Sequence, residues 1–226
     1  MKNYSAKDLA RFIDHTLLKP DATTQQIRTL CEEAQNHQFF SVCVNSSFVD
    51  LCSQILKGHP VKVCSVVGFP LGAMSTATKA FETDFVIKRG ADEVDMVINL
   101  SSLKDKNYSN VTADIRSVVT AAQGKVVKVI LETCLLNDEE KVAACKCSKE
   151  AGAHFVKTST GFSTGGATIA DVQLMKSTVG NSMQVKASGG IKNTQQALEY
   201  INAGVTRLGT SSGISLIQGL EISGGY

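Results

Sequence analysis

The amino-acid sequence predicts an α/β chain folded as a single (β/α)8 TIM barrel, on three observations. Short β-branched, apolar runs recur eight times and alternate with longer stretches patterned as helices. Such alternation implies parallel strands, because parallel neighbours need a helical crossover. The 226 residues divide into units of about 28, within the size range of a closed eight-unit barrel. No G-x-G-x-x-G follows the first run, as the dinucleotide site of an open doubly wound sheet would want. No break in composition marks a second domain, so residues 1–226 read as one domain with a short flexible tail from about residue 220.

The elements follow in order. A first strand is expected over 12–18, where Phe12, Ile13, Leu17 and Leu18 surround Asp14-His15-Thr16. The helix after it, 23–36, places Ile27, Leu30, Cys31 and Ala34 on one face at 3.6-residue spacing. Strands over 39–45 and 62–69 are rich in Val, Phe and Cys, and a helix over 76–89 carries Ala77, Ala80, Phe81 and Phe85 as its apolar face. Strands follow over 93–99 and 126–132. Asn137 ahead of Asp138-Glu139-Glu140 is a helix N-cap with acidic residues against the dipole. The remaining strands lie over 154–160, 184–189 and 207–211. Gly152 after Ala151 and Gly204 after Ala203 mark helix ends before return strands.

Composition narrows the function. Apolar residues make up 43% and charged residues 19%, an ordinary globular balance with enough length for an unstapled core. The 23 basic and 21 acidic side chains leave a charge of +2, which gives no basic patch for nucleic acid or an anionic membrane surface. The N-terminal MKNYSAKDLARF lacks the apolar core of a secretory signal, and no uncharged apolar run reaches 18 residues. A cytoplasmic protein is expected. Seven cysteines without a C-x-x-C pair read as reduced, buried thiols, and no cluster has metal-ligand spacing, so neither metal nor cofactor is expected. His37, His59 and His154 fall at helix ends or strand starts and receive no role.

In a barrel of this kind catalytic groups project from the C-terminal ends of the strands. Four charged residues interrupt otherwise apolar runs: Asp95, Lys128, Lys157 and Lys186. Lys and Asp are seldom buried unless paired, so each alone reads as a bridged or snorkelling rim residue; together they read as a site. Crowded, desolvated ammonium groups lower an amine's pKa, and a neutral lysine attacks carbonyls to form a Schiff base. Spacing alone leaves open which of the three lysines does so.

A second set is rich in glycine and hydroxyls. Ser188-Gly189-Gly190-Ile191 follows the seventh run, and Gly209-Thr210-Ser211-Ser212-Gly213 closes the eighth; Thr158-Ser159-Thr160-Gly161 follows the sixth. Turn chemistry is the plain explanation, and a phosphate cradle of backbone N–H groups the functional one. Gly161, Gly189, Gly190, Gly209, Ser211 and Ser212 are its expected donors, and a small phosphorylated sugar or aldehyde the expected partner. Asp14-His15-Thr16 either binds a substrate hydroxyl or ties the first strand to its neighbours; Cys43 and Cys64 read as small core residues.

The segments Asp14-His15-Thr16-Leu17-Leu18-Lys19-Pro20, Val66-Val67-Gly68-Phe69-Pro70-Leu71-Gly72, Glu93-Val94-Asp95-Met96-Val97-Ile98-Asn99, Val156-Lys157-Thr158-Ser159-Thr160-Gly161-Phe162 and Val185-Lys186-Ala187-Ser188-Gly189-Gly190 closely resemble the deoxyribose-phosphate aldolase family. The likeness runs from about residue 10 to residue 219. It implies a class I aldolase on a (β/α) barrel, cleaving 2-deoxy-D-ribose 5-phosphate reversibly to D-glyceraldehyde 3-phosphate and acetaldehyde. By the matching motifs Lys157 is the Schiff-base lysine, Lys186 the neighbour that lowers its pKa, Asp95 a participant in proton relay and Lys128 a supporting charge. Two positions depart from the family pattern: Ser46 where relatives usually carry Pro, and Lys192 where they often carry Arg. Rival readings are another sugar-phosphate aldolase or isomerase on the same barrel, and a non-catalytic barrel that binds a phosphorylated metabolite. Self-association is left open, as is a role for the Tyr226 hydroxyl, carried to the mouth on the tail, in proton transfer.

Overall fold

A computed structural model describes residues 4–219. Eight parallel strands pair in chain order and close on themselves: β1 (Ile13–Leu17), β2 (Ser41–Val44), β3 (Lys62–Val67), β4 (Glu93–Val97), β5 (Val126–Ile130), β6 (Phe155–Lys157), β7 (Gln184–Ser188) and β8 (Arg207–Thr210). Outside them lie α1 (Ala6–Ala10), α2 (Thr24–His37), α3 (Val49–Ile55), α4 (Thr76–Lys88), α5 (Leu100–Lys104), α6 (Tyr108–Ala121), α7 (Asp138–Glu150), α8 (Ile169–Val179), α9 (Thr194–Asn202) and α10 (Gly213–Ile217). The barrel expected from sequence is the barrel observed. The expectations for a tail from about residue 220 and for Tyr226 fall outside the described residues.

Each strand is shorter than its apolar run because the ladder stops where the backbone turns. Gly68 and Glu132 both take left-handed backbone, with φ of +63° and +56°, and end the third and fifth runs early. Capping follows the sequence closely. Thr23 and Gln26 form a reciprocal capping box at α2, and Asn137 with Glu140 does so at α7. Gly152 and Gly204, at φ of +84° and +100°, sit just past the ends of α7 and α9.

Helix α4 departs from expectation. Its apolar stripe points away from the barrel: Phe81 is 71% exposed, Phe85 lies under the Arg89 guanidinium 4.2 Å from its ring, and Ala77 is exposed. Lys79, Thr83 and Val86 face inward instead. The polar pair is tolerated because its bonds are complete. Lys79 Nζ donates to Asp114 of α6 at 2.6 Å and to the Val97 carbonyl at 2.9 Å, and Thr83 Oγ1 donates to the Lys79 carbonyl. Apolar periodicity identifies a face, and here buried ion pairing outweighs it.

Between barrel and helices runs a continuous apolar layer that includes Val42, Val63, Val94, Met96, Val127, Val129, Val185 and Leu208. These residues alternate along the strands with the lumen-facing set, so apolar side chains pack outward against the helices and charges are left for the interior. Among the described residues no helix is long and apolar enough to cross a membrane.

Candidate active site

The lumen is ionic. Alternation along β4 sends Glu93 and Asp95 inward together, and parallel register sets Asp95 opposite Lys128, Lys157 opposite Lys186, and Lys186 opposite Arg207. Asp95 Oδ2 accepts from Lys157 Nζ and Lys186 Nζ, each at 2.9 Å; its Oδ1 accepts from Lys128 Nζ at 2.7 Å and from the Cys64 thiol at 3.1 Å. Below this layer Lys128 Nζ reaches Glu93 at 2.7 Å and Lys186 Nζ reaches Asp14 at 2.5 Å. Arg207 closes the bottom, bonding Asp14 Oδ1 at 2.7 Å and Glu93 through both of its terminal nitrogens, at 2.8 and 3.1 Å. Ser41 Oγ donates to Asp14 as well, at 2.7 Å. Every one of these groups is buried.

The three carboxylates are held ionised. Burial pushes Asp95 toward its neutral form, but Lys128, Lys157 and Lys186 together hold its carboxyl well below the usual range. Asp14 is likewise lowered against its own burial by Lys186, Arg207 and Lys128, and Glu93 by Lys128 and Arg207. In return Lys128 and Lys186 are raised above the ordinary lysine value despite full burial, first by Asp95 and Asp14 respectively. A carboxylate whose pKa is lower folded than unfolded stabilises the fold above the ordinary carboxylate range, and that stability is lost as pH falls through the folded value. Urea midpoints should therefore drop steeply below about pH 4, each tenfold gain in an acid's ionisation on folding being worth ~1.4 kcal/mol. A flat profile from about pH 6 to pH 3 would contradict this network.

Each sequence-predicted catalytic residue lies in this cluster. Asp95 Oδ2 is shared by Lys157 and Lys186, and Lys128 sits directly beneath. Of the two readings of Asp14, the structure favours the tie between strands. Cys64 is more than filler: its thiol bonds Asp95, and burial raises its pKa well above the free value. Sequence reasoning misses Glu93 and Arg207. Glu93 lies two residues before Asp95 and therefore on the same face, while Arg207 opens its strand, a position that reads as rim. Cys43, Cys64 and Asp95 bring two thiols and a carboxylate within 4.8 Å of one another, but the Nζ atoms of three lysines already occupy that carboxylate.

Above the lysines the loops after β6 and β7 are tied together. Ser188 Oγ donates to the Ser159 carbonyl at 2.6 Å, Thr158 Oγ1 donates to the Ser188 carbonyl at 3.1 Å, and Ala167 N–H donates to the Gly189 carbonyl at 3.0 Å. Glu132, which the sequence does not single out, accepts from Thr160 through both its backbone N–H and its hydroxyl. Gly161, Gly189 and Gly190 all take positive φ, and a Cβ on Gly166 would stand 2.3 Å from the Gly189 carbonyl oxygen, so the two loops touch backbone to backbone. The Ser159 hydroxyl is buried there with no partner among the described residues. Ser211 and Ser212 follow β8 at the same end, Ser211 exposed, whereas Gly209 lies inside β8 between Ser188 and Asp14.

A closed barrel that presents a buried amine beside a carboxylate, under a glycine-lined loop cluster, has the parts that a lysine-dependent aldolase requires. Comparison with known proteins agrees. The model of the DeoC/LacD family of aldolases matches residues 9–219. The chain is 64% identical over 218 residues to a deoxyribose-phosphate aldolase of Bdellovibrio bacteriovorus, covering 96% of this chain and 99% of that one. It is 58% identical to the enzyme of that name from Streptococcus sanguinis, over 96% and 99% of the two chains. The tetrameric deoxyribose phosphate aldolase of Aeropyrum pernix superposes with a TM-score of 0.89 at 37% identity, covering 95% of this chain and 91% of that one. The chain belongs to the DeoC/LacD aldolase family.

Proposed function

We infer that the protein is a class I aldolase that reversibly cleaves 2-deoxy-D-ribose 5-phosphate to D-glyceraldehyde 3-phosphate and acetaldehyde. Lys157 forms the imine, Lys186 is the ammonium beside it, and Asp95 takes part in proton transfer. Lys157 suits that role because it bonds a single carboxylate oxygen and ends its strand, while Lys128, Lys186 and Arg207 each bridge two or more carboxylates. The same activity is the name its relatives of 58–64% identity carry.

The free amine of Lys157 adds to the aldehyde carbon of the open-chain sugar, and the carbinolamine hydroxyl takes up a proton from an acid in the site and leaves as water, giving an iminium. Its positive nitrogen accepts the electron pair of the C2–C3 bond as that bond breaks. A base removes the proton of the C3 hydroxyl, which departs as the carbonyl of glyceraldehyde 3-phosphate. The remaining enamine takes a proton at C2, and water hydrolyses it to acetaldehyde and frees Lys157. Asp95 lies 2.9 Å from the Lys157 nitrogen, close enough to the reacting centre for its carboxylate to take part in these proton transfers. Incubation with deoxyribose 5-phosphate, borohydride reduction and peptide mapping test the reading: a two-carbon adduct on Lys157 is expected, together with glyceraldehyde 3-phosphate in solution.

The phosphate is assigned to the loops after β6, β7 and β8, near Gly161, Gly189, Gly190, Ser211 and Ser212, while Gly209, paired on both sides inside β8, lies too deep to join them. The unpartnered Ser159 hydroxyl supports a ligand there. Ser211→Glu should raise KM for deoxyribose 5-phosphate by about tenfold or more, since like charges ~4 Å apart at a protein surface repel by ~1–4 kcal/mol. KM for unphosphorylated deoxyribose should hardly move; equal loss on both substrates would refute the assignment.

A further inference from the structure

Every strand but β6 sets a titratable or charged group against Lys157 or its immediate partners. These are Asp14 from β1, Cys43 and Cys64 from β2 and β3, Glu93 and Asp95 from β4, Lys128 from β5, Lys186 from β7 and Arg207 from β8. Three carboxylates thus face four cations. With all four protonated the buried network carries a surplus positive charge, and with one lysine as the free amine its charges cancel. Uncompensated charge in a dry interior is costly, so the balanced state is favoured. Arg207 cannot release its proton. Lys128 and Lys186 each hold theirs between two or more carboxylates. Among the described residues Lys157 alone of the four has a single carboxylate partner.

We propose that Arg207, at the opposite end of the barrel from the substrate, is a positioning residue for imine formation. Its permanent charge, with those of Lys128 and Lys186, offsets Asp14, Glu93 and Asp95, so that Lys157 is left as the amine whose proton is surplus. The inference rests on the reading of Lys157 as the imine-forming lysine. The geometry suits a fixed charge. The guanidinium lies 3.1 Å from the centre of the Phe40 ring and bonds Asp14 and Glu93 with its terminal nitrogens. It roofs a cavity of about 480 Å³ at the N-terminal mouth, lined also by Arg11, Lys62 and Phe155. From there the charges alternate upward without a gap: Arg207, Glu93, Lys128, Asp95, Lys157. Arg207 itself never meets the substrate.

The test is the pH dependence of kcat/KM and of borohydride trapping on Lys157, in wild type and four variants. Arg207→Met leaves three carboxylates against three lysines, so Lys157 keeps its proton to higher pH. The acidic limb should move up by at least about one pH unit, a tenfold loss of trapping on that limb. Glu93→Gln removes a negative charge and should move the limb down. The double variant Arg207→Met/Glu93→Gln restores the balance and should return the limb near wild type; Arg207→Lys keeps the charge and should leave it there. Shifts in the same direction for both single variants, no shift in either, or a loss equal at every pH would overturn the proposal. If Arg207→Met fails to fold, the downward shift in Glu93→Gln still decides. A wild-type adduct on another lysine would refute the earlier reading instead, before any variant is made.

Discussion

Lys157→Met is expected to abolish aldol cleavage and borohydride trapping while leaving a stable barrel. The methionine side chain nearly matches the lysine stem in length, so the lumen stays filled. Electrostatically the change is mild, because it removes the one cation bonded to a single carboxylate oxygen and leaves three acids facing three bases. Removing a covalent nucleophile costs on the order of 10⁶-fold in kcat. Kinetics with deoxyribose 5-phosphate, mass spectrometry after reduction and a urea melt check the three parts. A reduced adduct persisting on Lys128 or Lys186 would show that the wrong amine has been assigned.

Asp95→Asn should behave in the opposite way, harming the fold and separating two steps of the reaction. The carboxylate accepts from the Nζ atoms of three lysines and from a thiol. An amide offers one oxygen and turns an NH₂ toward a cation, leaving buried positive charge unanswered. Breaking a buried charge cluster in this way costs about 3–5 kcal/mol. The added positive surplus also favours Lys157 as the free amine, so imine should still form and be trapped. Cleavage should fall by about 10²–10⁴-fold, the share that positioned acid–base groups contribute. Loss of trapping in a folded Asp95→Asn protein would place Asp95 in the attack step rather than in proton transfer.

The barrel is legible in the sequence because parallel strands buried on both faces read as short apolar runs, and only the ends of those runs mislead. Gly68 and Glu132 turn the chain where hydrophobicity continues. Asp95, Lys157 and Lys186 stand out as charges flanked by apolar neighbours, and the family motifs distinguish the three lysines. The lower layer is hidden for a positional reason. Glu93 and Arg207 open their strands, where a charge usually faces water, and for Arg207 nothing local shows that it points into the lumen. The i, i+2 relation of Glu93 to Asp95 is the available signal. On α4 the error runs the other way, since Phe81 and Phe85 announce an inward face that Lys79 and Thr83 occupy through their own hydrogen bonds. Glu132 acts through the loop it grips, a relation that exists only once the chain has folded.

The lower layer also governs how the chain can reach its native state. Arg207 and Asp14 meet across 193 residues, and Arg207 and Glu93 across 114. Until the last strand docks against the first, those two acids have no guanidinium, and drying the lumen around them would strand charge in a medium that cannot solvate it. A partly assembled barrel must therefore stay hydrated inside, however complete its outer apolar layer. Expulsion of water and closure of the ring are one event, delayed by contacts that span much of the chain, as non-local topology delays folding in general. The same charges that prepare one amine for chemistry thus make the half-built barrel an unstable refuge.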